Sequence, residues 1–296
     1  MRYFVPAVGV CGVASAALLA RYGLEEGVSP IALSAWRLAV ASLSLIFFQL
    51  LRPAAKKLDR QDMWRAAVAG LFLALHFATW IASLEYISIA RSTLLVATSP
   101  LWAGLLGLVV PSLKPRPIFW VGLLLAGIGT LLVTSQGLSH AAQKSPEWLG
   151  DLLAVVGAIA IVPYLLFSQQ VQERCGTLVT ITWIYSAAAG ILLVALVPLG
   201  QIVPPVSSAA WLSILGMALF AQLIGHSSLN FSLRSFTTAQ VATTTLLEPV
   251  FAGALAWIFM GERITPLQGL GGFVMLVGVG LSLSKPAGSV SDLERQ

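Results

Sequence analysis

Charge is scarce in this chain: Asp, Glu, Lys and Arg make up 10% of its 296 residues, against about 25% in average soluble domains. That scarcity excludes a water-facing surface over most of the length. No polar segment is left that is long enough for a soluble catalytic or nucleic-acid-binding domain. Cysteine occurs twice, at Cys11 and Cys175; neither has metal-ligand spacing, and a disulfide between them would sit in a reducing setting, so both read as small apolar fillers. The three histidines, His76, His140 and His226, are too dispersed for a metal site. No Gly-x-x-x-x-Gly-Lys loop exists to bind ATP, and no His-Glu-x-x-His helix, Gly-x-Ser-x-Gly turn or intramembrane Asp pair exists to support an intramembrane enzyme. No cofactor or metal is expected.

What the chain has is apolar length. Apolar residues make up 57% of it and its mean hydropathy is +0.88. Ten stretches near 20 residues stand out, at 4–23, 30–51, 64–84, 92–110, 118–136, 149–170, 178–197, 209–230, 237–260 and 266–284. At about 1.5 Å per helical residue each crosses a hydrocarbon core of roughly 30 Å. The chain therefore reads as an all-α membrane protein of ten transmembrane helices, the first of them a retained helix because no small-residue cleavage site follows it. With the N-terminus inside, twelve basic residues fall in inside segments (Arg2, Arg52, Lys56, Lys57, Arg60, Arg65, Lys114, Arg116, Arg174, Arg234, Lys285, Arg295) and four outside (Arg21, Arg91, Lys144, Arg263). This bias predicts that both termini are cytoplasmic.

Laying Pro100 on Pro249, a shift of 149 residues, brings Ala90 onto Ala239, Ala103 onto Ala252, Gly104 onto Gly253, Leu106 onto Leu255, Pro117 onto Pro266, Gly122 onto Gly271 and Gly129 onto Gly278. The matches predict two repeats, 1–145 and 146–296. Five helices is an odd number, so the second copy enters the membrane from the opposite side, and inverted repeats of this kind place a site between the halves near the midplane. A duplication kept only for packing is the plainer account, but it predicts no polar groups converging on the pseudo-twofold axis.

Polar groups inside the spans are few and therefore informative. Glu248 is costly at its depth and should face the bundle interior, with Thr244 and Gln240 on the same helix face. Pro249 removes a backbone donor and frees a carbonyl near Thr245. Gln222, His226 and Asn230 recur every fourth residue, with Ser227 beside them, which fits either a wet cavity wall or helix-to-helix hydrogen bonding. His76 and Trp80 share a face, as do Ser99 and Trp102. Tyr164 follows Pro163 in mid-helix, and Trp183 and Tyr185 lie on the next span. Such aromatics suit stacking and cation–π contact with an amine, whereas Trp64, Trp120, Trp148 and Trp211 sit at span ends as interface anchors. Arg37 is expected to snorkel or form a structural salt link. Gly12, Ala16 and Ala20, and Ala103 and Gly107, keep small-xxx-small spacing for close packing; a dimer fits these stripes, but nothing requires more than a monomer.

The segment Glu248-Pro249-Val250-Phe251-Ala252-Gly253-Ala254-Leu255-Ala256-Trp257, running into Met260-Gly261-Glu262-Arg263-Ile264-Thr265-Pro266, resembles the signature of EamA-type permeases in the drug/metabolite transporter superfamily. Ser99-Pro100-Leu101-Trp102 resembles the same element in the first half, and Trp36-Arg37 the family's aromatic-Arg position. In character the chain resembles the YddG-type amino-acid exporters. The resemblance implies ten helices in two five-helix halves and export of aromatic and other neutral amino acids, or related metabolites, across a bacterial-type inner membrane. The first half departs from the pattern: Ser99 stands where the second half has an acid, and Val110-Pro111-Ser112-Leu113-Lys114 replaces the Gly-Glu-Arg turn. The expected substrate-binding set is His76, Trp80, Ser99, Trp102, Tyr164, Trp183, Gln222, His226, Asn230, Thr244 and Glu248, with Pro100, Pro163 and Pro249 as hinges. The expected partners are a small-molecule substrate and membrane lipid, with no nucleic acid. An enzyme acting on a lipid-linked substrate, or an exporter of drugs or nucleosides, are the alternative readings.

Overall fold

A computed structural model describes residues 3–51, 58–110, 114–135, 145–201, 207–251, 254 and 265–283. The second part of the ninth apolar stretch, the Gly261-Glu262-Arg263 turn, His140 and the Pro111–Leu113 segment lie outside the described residues. Among the described residues the fold is all helix, and eight helices are long and apolar enough to cross a membrane; Pro266–Ser282 is a further, shorter apolar helix. The first stretch breaks at Ser15 into α1 (Phe4–Ala14) and α2 (Ala16–Glu25). Then come α3 (Pro30–Leu51), α4 (Arg60–Ser83), α5 (Ile89–Val96), α6 (Ser99–Val109), α7 (Pro117–Thr134), α8 (Glu147–Cys175) and α9 (Thr177–Leu196). The eighth stretch is α10 (Ser208–Gly216), a π-helix (Met217–His226) and α11 (Ser227–Ser232). The ninth is α12 (Thr238–Thr244) followed by a 3-10 turn (Thr245–Leu247), and α13 is Pro266–Ser282.

The helix ends follow from local chemistry that recurs in both halves. Ser88 caps α5 by accepting from the Arg91 amide, and Thr237, 149 positions later, caps α12 by accepting from the Gln240 amide. Such caps satisfy donors that a helix start leaves open. Pro117 and Pro266 both open helices, where the missing N–H costs nothing. The fourth and ninth stretches each break within a turn of Pro100 and Pro249. Around Pro249 the chain tightens: the Glu248 amide donates to the Thr245 carbonyl, so the carbonyl expected to be free is occupied. Pro163, by contrast, sits inside the uninterrupted 29-residue α8. Gly176, at φ +81°, joins α8 to α9 through a single residue, a conformation glycine adopts without a Cβ penalty.

Packing pairs helices from opposite ends of the chain. The most extensive contacts are α7 with α13, α4 with α8, α3 with α9, α4 with α9, and α1 with the π-helix, with α6 packing on α12. Leu33, Leu38, Phe77, Ile184 and Leu196 are wholly buried in this interior. At the α7–α13 seam a Cβ on Gly122 would lie 2.5 Å from the Gly278 carbonyl oxygen, and one on Gly129 would lie 2.6 Å from that of Gly271. Numbers rise along one helix as they fall along the other, so the two run antiparallel. The seam is sealed backbone to backbone. The α1 crossing is similar, since a Cβ on Gly12 would come within 2.8 Å of Gly225 Cα.

Ion pairs tie both ends of α8 to the first half of the chain. Arg91 meets Glu147 and Asp151, each at 2.6 Å. At the other end Arg174 lies 3.4 Å from Asp59 and 3.5 Å from Asp62, which Arg65 also approaches at 3.4 Å.

Candidate functional site

A cavity of about 60 Å³ lies among the spans, partly open and mostly apolar. From the first half it takes Val13 and Ala16 beside the Ser15 break, His76 and Trp80 of α4, and Thr93, Val96, Ala97 and Ser99 around the α5–α6 break. From the second it takes Ile161 and Leu165 of α8, His226 and Leu229, and Val241, Ala242, Thr245 and Glu248. Five lining pairs stand 149 positions apart: Ala16 and Leu165, Trp80 and Leu229, Thr93 and Ala242, Val96 and Thr245, Ser99 and Glu248. Ten of the sixteen lining residues thus fall in pairs at the shift that the sequence repeat predicts.

Its polar groups are unevenly distributed. Glu248 reaches the cavity, and no described residue offers it a hydrogen bond or a counter-ion. Ser99, its counterpart in register, brings only a hydroxyl. His76 Nδ1 is 2.8 Å from the Gly157 carbonyl; a carbonyl only accepts, so Nδ1 carries the proton and Nε2 is left for a ligand. The ring stacks on Trp80, with centroids 6.2 Å apart and planes 10° apart. His226 stands edge-on to His76, centroids 6.3 Å apart, and to Phe77 at 5.0 Å.

Of the eleven expected binding residues, five line this cavity: His76, Trp80, Ser99, His226 and Glu248. Tyr164 and Asn230 are fully buried and bonded to each other. Asn230 also accepts from Ser168 Oγ at 2.5 Å and donates to the His226 carbonyl at 2.8 Å, so this pair clamps α8 to α11. Gln222 accepts from Arg37 Nη2 at 2.8 Å, behind the wall. Thr244 turns its hydroxyl onto the Val241 carbonyl at 2.7 Å while its neighbour Thr245 takes the lining position. Trp102 is half-buried, with Nε1 donating to Thr98 Oγ1 at 3.1 Å. Trp183 does not turn inward: it is 46% exposed on the outer side of α9. That helix is apolar all round, so hydropathy selects no inner face, and the buried Tyr185 two positions on takes the inward place. Arg37 neither snorkels nor forms a salt link among the described residues; it is fully buried. Thr93, Val96 and Thr245 went unrecognised in the sequence, although the 149-residue register relates Val96 to Thr245 and pointed to them.

The model of the EamA-like transporter family matches the chain twice, over residues 4–135 and 148–284. An uncharacterized transporter, YdfC, of Bacillus subtilis is 28% identical over 88% of this chain and 83% of its own length. The threonine/homoserine exporter RhtA of Escherichia coli is 25% identical over 92% of this chain and 90% of its own. The pseudopaline exporter CntI of Pseudomonas aeruginosa is 26% identical over 82% and 83%. A crystal structure at 16% sequence identity superposes with a TM-score of 0.74 over 95% of this chain and 96% of its own, and so shares the fold. A polytopic helical protein with a central lined cavity, matched over both halves by one family, has a plain assignment: the chain belongs to the EamA-like transporter family.

Proposed function

We propose that this integral membrane transporter is a secondary exporter of small neutral amino acids or closely related zwitterionic metabolites. It works by alternating access between two inverted five-helix halves, 1–145 and 146–296, in a bacterial-type inner membrane with both termini cytoplasmic. One observation carries the reading: residues 149 positions apart line one cavity, and that cavity holds a carboxyl group, Glu248, with no partner among the described residues. Reciprocal contact supports the inverted symmetry. Gly122 meets Gly278 as Gly129 meets Gly271, which is the self-complementary pattern of a twofold axis between antiparallel helices. The double family match is in keeping with it.

In this reading Glu248 receives the substrate amine, His76 Nε2 and Ser99 meet its polar groups from the other half, and Trp80 covers the side chain. Size narrows the cargo. An apolar cavity of about 150 Å³ holds benzene, whereas this one is about 60 Å³. Small side chains are favoured over the aromatic ones that the resemblance first suggested. The names of two relatives, a threonine/homoserine exporter and a pseudopaline exporter, support amino-acid-like cargo.

The test is counterflow of a panel of labelled amino acids in proteoliposomes, with and without a pH gradient. Exchange of small neutral amino acids above that of aromatic ones is expected. Folded, oriented protein that moves none of the panel overturns the proposal, and the gradient arm reports whether protons are coupled.

A further inference from the structure

We propose that Arg37 and Gln222 form a carboxylate-binding subsite behind the cavity wall, screened from the cavity by the Phe77 ring. The assignment rests on the export of zwitterions proposed above and names where their anionic end is held. Arg37 is wholly buried, and among the described residues no acid pairs with it. Nη2 donates to Gln222 Oε1 at 2.8 Å. Among the described residues its Nε and Nη1 have no hydrogen-bond partner, and neither does the Gln222 amide nitrogen. All three unmet atoms at this place are N–H donors, so the group they await is an acceptor of negative charge. A buried cation without a counter-ion is strongly unfavourable, which makes a structural role alone a poor reason to keep one. In a membrane interior an ionisable group of this kind is a functional candidate with a partner to be found.

The position fits a subsite that joins the cavity when the Phe77 ring turns aside. The guanidinium carbon lies 3.9 Å from the Phe77 ring centroid. Phe77 in turn stands 5.0 Å from His226 and 4.9 Å from His76, centroid to centroid, and both histidines line the cavity. One aromatic ring therefore separates the cation from the substrate space. Gln222 and His226 belong to the same π-helix, an irregular element that occurs chiefly at functional sites. A planar guanidinium beside an amide nitrogen matches a planar carboxylate, to which Arg gives paired donors.

The experiment compares each exported amino acid with its carboxamide, which keeps the amine and side chain and loses the anion. Wild-type protein is expected to prefer the acid by about tenfold to a hundredfold, the range of a charge-assisted hydrogen bond. The double variant Arg37→Met/Gln222→Leu removes donor and acceptor together, so folding should hold, and the preference should vanish. A second measurement needs no transport: thermal unfolding of the detergent-solubilised protein with propionate or propionamide at matched ionic strength. Propionate alone should raise the wild-type midpoint, and it should leave the double variant unmoved. An undiminished acid preference in the variant, or equal transport of acid and carboxamide by wild type, overturns the subsite while leaving export intact. Loss of all transport with an Arg37-dependent propionate response overturns export and leaves the anion site standing.

Discussion

The two proline-broken stretches, α5–α6 in the first half and α12 with its 3-10 turn in the second, share a backbone and differ in chemistry. Each starts on a hydroxyl cap, each departs from the α-helix just before its proline, and each turns residues 149 positions apart onto the cavity. Yet the register position that holds Ser99 in one holds Glu248 in the other. In the proposed cycle this shared geometry is the frame on which two halves move. The acid present at only one of the two positions is the difference that the variants below probe.

The harshest way to probe the shared frame is at the seam. Gly129→Val and its counterpart Gly278→Val drive a side chain into backbone, since a Cβ at 278 would lie 2.4 Å from the Ala126 amide nitrogen. Backbone cannot rotate aside, so each should destabilise by more than about 3 kcal/mol, beyond ordinary overpacking. The yield of monodisperse protein would collapse for both. Gly280→Ala, where nothing lies within 4 Å, should be neutral or stabilising by about 0.5–1 kcal/mol. A seam variant that folds normally breaks the likeness of the halves.

The chemical difference is tested next. Glu248→Gln should lower the rate of amino-acid counterflow by about tenfold or more, as expected for loss of a charged contact. Ser99→Ala should stay within about threefold, since it removes one neutral hydroxyl. Equal losses would mean that the two positions act alike. The smallest effects belong to the caps: Ser88→Ala and Thr237→Ala should each cost about 1 kcal/mol, measured by thermal unfolding in detergent.

Much of the fold is legible in the sequence, because spans depend on apolar length. Pro100, Pro249 and the seam glycines were all visible as matched letters. The break at Ser15 and the π-helix were not, since they answer to the close approach of Gly12 and Gly225, which no single segment encodes. The site was harder still. Spacing every fourth residue grouped Gln222, His226 and Asn230, but Arg37 holds the first and Tyr164 and Ser168 the last, which leaves His226 for the cavity. Arg37 itself read as a salt-link residue because a sequence gives no warning that a charge is buried without one.

One feature of α8 has a mechanical consequence. Its 29 residues extend about 43 Å, well beyond a hydrocarbon core of roughly 30 Å. The clusters of Arg91 and Arg174 at its two tips are therefore expected at headgroup level on opposite leaflets, which would make α8 a strut braced at both ends. Stretching or thinning the surrounding lipid must tilt that strut and load its braces. The cycle of this transporter should accordingly respond to acyl-chain length, with turnover fastest where the leaflets match the span between the two arginines.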